Sequence, residues 1–92
     1  MIKRELFLDA STISTVDEFH DQVQELFGLP SYYGRNLDDL WDCLLNYINP
    51  SVKLYINDFQ NLIAVFGPEA EALKDIFQNL PTNRPDIEVL LN

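Results

Sequence analysis

Three carboxylates crowd into five positions of one short stretch: Asp38, Asp39 and Asp42 in "NLDDLWDCLL", residues 36–45. Two aspartates one helical turn apart, Asp38 and Asp42, could share general acid–base work. The same pair could instead meet cations on a basic partner, or the group could serve only to start a helix. The rest of the chain offers little reactive chemistry. His20 is the single histidine and reads as a structural or surface side chain. Cys43 is the single cysteine and reads as a buried, inert thiol, so no internal disulfide and no cysteine-based metal cluster is expected. No Gly-rich phosphate loop, zinc spacing or nucleophile elbow occurs. No cofactor, no metal site and no catalytic residue are expected.

The elements that would position these residues are legible in the pattern. "IKRELFLD" (2–9) alternates as a first strand, with Ile2, Leu6 and Leu8 on one face. "STVDEFHDQVQELFG" (14–28) reads as a helix capped by Ser14 or Thr15, with Val16, Phe19, Val23, Leu26 and Phe27 as its apolar stripe. Gly28 and Pro30 stop it. The loop "LPSYYGR" then leads to the acidic helix, 36–48, which Pro50 ends. "VKLYIN" (52–57) is a second strand, "DFQNLIAVFG" (58–67) a short helix closed by Gly67, and "PEAEALKDIFQNL" (68–80) a longer one with Pro81 beyond its end. "DIEVLL" (86–91) is the last strand. The order β-α-α-β-α-α-β, with strands joined by helical crossovers, predicts an α/β domain: a small three-stranded parallel sheet packed with about four helices.

On a helical wheel the acidic stretch separates cleanly. Leu37, Leu40, Trp41, Leu44 and Ile48 form a core stripe, while Asp38, Asp42 and Asn46 line up beside it. Asn36 is a good N-cap, and Asp39 holds the place of the acidic member of a capping box. Asp38 lies in the first turn, where the helix dipole favours it. Asp42 has no such explanation: it lies beyond the first turn and faces a like charge one turn back. Trp41 sits at the border of the stripe, the side nearest Asp38. Tyr32 and Tyr33 either roof the core or present a ring to a partner, and Gly34 is expected to supply a backbone conformation that other residues avoid.

Composition limits the partners. The 92 residues suit one domain, 1–92, and 47% hydrophobic residues suffice for a compact core. Fifteen acidic against six basic residues leave a net charge of −9. Nucleic acid and anionic membrane surfaces are disfavoured, because both are bound by cations. Something basic is the natural partner. The start is broken by charge at Lys3, Arg4, Glu5 and Asp9, so no signal peptide is read, and the longest apolar run is "LIAVF", 62–66. A reducing, cytoplasmic setting is expected.

"LPSYYGRNLDDLWDCL" (29–44) resembles the signature of the barstar family, intracellular inhibitors of small secreted microbial ribonucleases. The likeness extends along the chain through Phe77 and the closing "DIEVLL". It implies a three-stranded parallel sheet with four helices, and a protein that blocks a basic, extracellular-type, barnase-like ribonuclease one to one. By that likeness Asp42 stands in for the substrate phosphate, Asp38 pairs with a further basic residue, and Tyr32 lays its ring against the catalytic histidine. Asn36 and Leu37 contribute loop contacts and Trp41 supports the interface. Some positions depart from the family pattern: Arg35 sets a positive charge beside the acidic face, Asn46–Tyr47 replaces a small residue and a tryptophan, and Asn79 stands where a further acidic contact is expected. Two other readings are an interaction or immunity protein for a different basic partner, and an enzyme using Asp38 and Asp42.

Overall fold

The structure is a computed structural model that describes residues 3–48 and 51–92. Its elements run β1 (Arg4–Asp9), α1 (Val16–Phe27), α2 (Leu37–Asn46), β2 (Val52–Asn57), α3 (Phe59–Phe66), α4 (Ala70–Asn83) and β3 (Ile87–Leu91), with a 3-10 turn over Gly67–Glu69 leading α3 into α4. The strands form one parallel sheet in the order β1-β2-β3, with Leu6 level with Leu54 and Leu54 level with Val89. This is the α/β architecture that the element order predicts. Ile2 and Pro50, assigned above to the first strand and to the end of the acidic helix, lie outside the described residues.

Alternation decides which face of the sheet the helices cover. Val52, Leu54 and Ile56 are buried on β2, together with Leu8 on β1 and Ile87 on β3, and they join one core with residues of every helix. The opposite face is open, although parallel sheets are usually covered on both sides. There Phe7 remains 65% exposed and stacks on the half-buried Tyr55, ring centroids 4.8 Å apart. Lys53 lies over the Tyr55 ring, and the Tyr55 hydroxyl donates to Glu5. In the core, Phe19 meets Phe66 edge-on at 5.1 Å.

Helix boundaries follow their caps. Thr15 Oγ1 accepts from the Glu18 N–H, and the Glu18 carboxylate accepts in turn from the Ser14 N–H. At the other end of α1, Gly28 takes the left-handed conformation (φ 63°) that a helix C-terminus favours in glycine. On the α1 stripe Phe19, Val23 and Phe27 are buried, Leu26 is half-buried and Val16 is exposed, and His20 joins them at 2% exposure.

Several boundaries differ from the sequence expectation: α2 stops at Asn46 with Tyr47 as its C-cap instead of running to 48, and α4 starts at Ala70, after the 3-10 turn, instead of at Pro68. Pro81 lies inside α4 rather than beyond it. Proline lacks one donor, so a helix can hold it in its last turn at the loss of a single bond. Here the turn is kept by the Arg84 N–H donating to the Leu80 carbonyl at 2.7 Å and by the Asn83 side-chain amide donating to the Asn79 carbonyl at 3.0 Å.

Candidate interaction surface

The acidic helix begins as its sequence dictates. Asn36 is the N-cap, and its Oδ1 accepts from the Asp39 N–H at 2.8 Å. Asp39 does not complete a capping box on the Asn36 backbone. Its carboxylate instead accepts from the Gly34 N–H, two residues further back. Gly34 is required for that approach and not for an unusual backbone angle. A Cβ at residue 34 would sit 2.9 Å from the Asp39 carboxylate and 3.0 Å from the Asn36 amide nitrogen. The left-handed residue of this loop is Arg35, with φ 54°.

Arg35 also turns away from the acidic helix. Its guanidinium pairs with Asp21 at 2.9 Å and donates to the Asp17 carbonyl at 2.8 Å, both on α1. The positive charge that the sequence places beside the acidic face is thus spent on a neighbouring helix. Gln24 of α1 donates to the Pro30 carbonyl at 3.0 Å, and the Tyr33 hydroxyl meets Nδ1 of His20 at 2.6 Å. The loop before α2 is therefore pinned to α1 at three points. Tyr33 is buried and roofs the core, while Tyr32 is 71% exposed.

The far end of α2 is held by a residue that sequence reading missed. Arg84, just past α4, donates through Nη1 to the carbonyls of Leu44, Leu45 and Ile48, the last at 2.9 Å. Those are carbonyls that the helix end leaves without partners of its own. Asp86 holds the same guanidinium at 2.6 Å, and that bond keeps the Asp86 carboxyl below the usual carboxylate range. Nothing local in the sequence pointed Arg84 at α2, some forty residues earlier.

Between these supports lie the candidate residues. Asp38 and Asp42 are exposed, and among the described residues neither carboxylate has a lysine, arginine or histidine in salt-bridge contact. Asn46 donates to the Asp42 carbonyl at 2.8 Å and to Asp42 Oδ1 at 3.2 Å. Leu40, Leu44 and Ile48 are buried; Leu37 and Trp41 are only partly so. Trp41 lines a shallow hollow of about 160 Å³ with Asp75, Ile76 and Asn79 of α4. Tyr47 is the C-cap, 48% exposed, and its hydroxyl meets that of Tyr32 at 2.8 Å. Cys43 faces the core at 3% exposure, where burial pushes its thiol up. The described residues hold no group of three or more His, Cys, Asp or Glu side chains placed to share a metal ion, and no helix among them is long and apolar enough to cross a membrane.

Exposed, like-charged carboxylates thus stand on a braced helix, with Trp41 partly buried beside them and Tyr32 and Tyr47 exposed at its two ends. The family profile described as Barstar (barnase inhibitor) matches residues 4–90, and the chain belongs to that family. A similar protein is the one named "Putative ribonuclease inhibitor YrdF" in Bacillus subtilis (strain 168), 29% identical over 75 residues, which cover 82% of each chain.

Proposed function

We propose that this chain inhibits a basic, barnase-type ribonuclease in the cytoplasm, binding it one to one and occluding its active site with α2 and the loop before it. The observation that carries this reading is the pair Asp38 and Asp42, exposed one turn apart without a cation partner among the described residues. Like charges at that spacing cost a helix a few tenths of a kcal/mol. A cationic active site relieves the cost on docking. Family membership and the printed name of the relative support a ribonuclease as the partner.

In this reading Asp42 occupies the place of a substrate phosphate among the nuclease cations, and Asp38 pairs with a further basic residue. Tyr32 stacks on a catalytic histidine, Asn36 and Leu37 add loop contacts, and Trp41 supports the edge, with Asn46 and Tyr47 at the rim. The chain contributes occlusion and charge, and no turnover of its own. Truncating one partner of a desolvated charge pair costs about 2–5 kcal/mol or more, a range to which the barnase–barstar pair itself contributes.

The test is a titration of the purified protein into barnase at low salt, following RNA cleavage, with Asp42→Ala in parallel. Stoichiometric inhibition by the wild type, weakened at least about 30-fold in Asp42→Ala, is expected. Folded wild type that leaves cleavage untouched at equimolar and tenfold excess would sink the barnase-type reading. Asn79 beside Trp41 favours a second reading, a basic partner of another kind, because that hollow carries one charge, Asp75, where the resemblance expects a further acid. Binding to a basic protein without loss of RNA cleavage would support it.

A further inference from the structure

Tyr32 and Tyr47 come from opposite ends of α2, one from the loop that precedes it and one from its C-cap. Ten residues of helix separate those ends, roughly 15 Å at 1.5 Å per residue. Their hydroxyls nevertheless meet at 2.8 Å, so the two rings reach toward each other along the exposed flank of the helix. Asp42 belongs to the same flank. The Tyr47 phenol is pushed up first by its bond to Tyr32, and the Asp42 charge acts in the same direction.

A phenol has one hydrogen to give. In a hydroxyl pair, one oxygen donates to the other and the second hydrogen is left over. The pair therefore keeps one O–H to give, from rings whose tips are tied together. An exposed hydrogen bond of this kind contributes little to folding. Its effect falls on ring order, because fixing a side chain before association removes a cost that association otherwise bears.

We propose that Tyr47 is a positioning residue for partner recognition: its hydroxyl fixes the ring of Tyr32, and the pair selects a partner with a hydrogen-bond acceptor set among its cations. This rests on the inhibitor reading above for the identity of the partner, but the positioning itself is a property of the free protein. Tyr47→Phe keeps the ring and removes the bond, leaving the fold undisturbed.

The experiment has two arms. In the free protein, side-chain couplings and ring-to-ring NOEs report the rotamer of Tyr32. Wild type is expected to hold one χ1 rotamer, and Tyr47→Phe to spread over several with the Tyr32–Tyr47 NOEs lost. In the second arm, Tyr47→Phe and Tyr32→Phe each weaken inhibition of barnase about 3- to 10-fold, and the double variant is no weaker than either single one. An unchanged Tyr32 rotamer in Tyr47→Phe overturns the proposal, as do losses that add fully in the double variant. If wild type leaves barnase active, the inhibitor reading falls, and the rotamer arm alone decides the positioning role.

Discussion

The hydroxyl of Tyr33 lies 2.6 Å from Nδ1 of His20, and both side chains are buried, at 4% and 2% exposure. Burial pushes the histidine down and the tyrosine up, so both are held neutral and share one hydrogen. This bond crosses from α1 to the loop that presents Tyr32 and Asn36. The only histidine is therefore a structural joint beneath the candidate surface. The charges that reach it are Arg35, which lowers its proton affinity, and Asp17 and Asp21, which raise it.

The joint makes stability depend on pH. The folded pKa of His20 lies below its unfolded value of 6.5, so the unfolded state binds the extra proton. Its contribution is fully present above pH 6.5 and is lost as pH falls through the folded value. The urea midpoint is expected to drop between pH 7 and pH 5, and the drop to flatten in His20→Gln. Asp9 and Asp86 also lie below their usual 3.8, so their contributions disappear only under more acidic conditions and leave that window clear. An equal slope in wild type and His20→Gln would refute the assignment.

Arg84→Ala leaves carbonyls at the end of α2 without their donor. A cost of about 1–3 kcal/mol is expected by urea or thermal unfolding. For a domain of this size each kcal/mol lowers the midpoint by roughly 4–8 °C. Arg84→Lys recovers only part, since an ammonium lacks the planar fork that spans Asp86 and the carbonyls together. Asp86→Asn costs less than Arg84→Ala.

Gly34 and Asp39 make a pair whose mutations are coupled. Gly34→Ala drives a methyl group against the Asp39 carboxylate and displaces it from the Gly34 N–H. A loss of about 1 kcal/mol is expected in the wild-type background. In Asp39→Ala the closest contact is gone and the Asn36 amide nitrogen, 3.0 Å away, remains, so the same change is expected to cost less than in the wild-type background. A double-mutant cycle by chemical unfolding reads this directly.

If the partner is the basic ribonuclease proposed above, charge governs the encounter. With a net charge of −9, the association rate is expected to fall steeply as salt rises from 20 mM to 500 mM, while dissociation changes little. Stopped-flow mixing measures both. In the same reading Asp42→Ala is expected to act on the other quantity and shorten the lifetime of the complex.

Local rules wrote much of this structure into the chain. Strict alternation in "VKLYIN" places β2 at 52–57 and also tells which face is covered. Asn36 and Thr15 cap the helices that they precede. Most of the misses have one cause in common: the deciding partner lies far along the sequence or round a bend. Arg35 reads as an added charge on the acidic face until Asp17 and Asp21 are seen beside it. Gly34 reads as a left-handed glycine until the Asp39 carboxylate is placed over it. Arg84 gives no hint of α2, forty residues earlier. Pro81 reads as a terminator because the compensating bonds of Asn83 and Arg84 follow it.

The parallel register has a consequence for how the protein is made. Arg4 pairs with Val52, and Val52 with Ile87, so each strand waits for one that is dozens of residues away. Closing such loops costs entropy before any contact repays it, which slows folding. On a ribosome, α2 emerges well before β3 and before Arg84, which braces its end. A nascent chain halted at residue 80 holds every aspartate of the acidic helix but lacks the third strand and that brace. A fully braced acidic helix would therefore arrive abruptly, once Arg84 and β3 have been added, instead of growing with chain length.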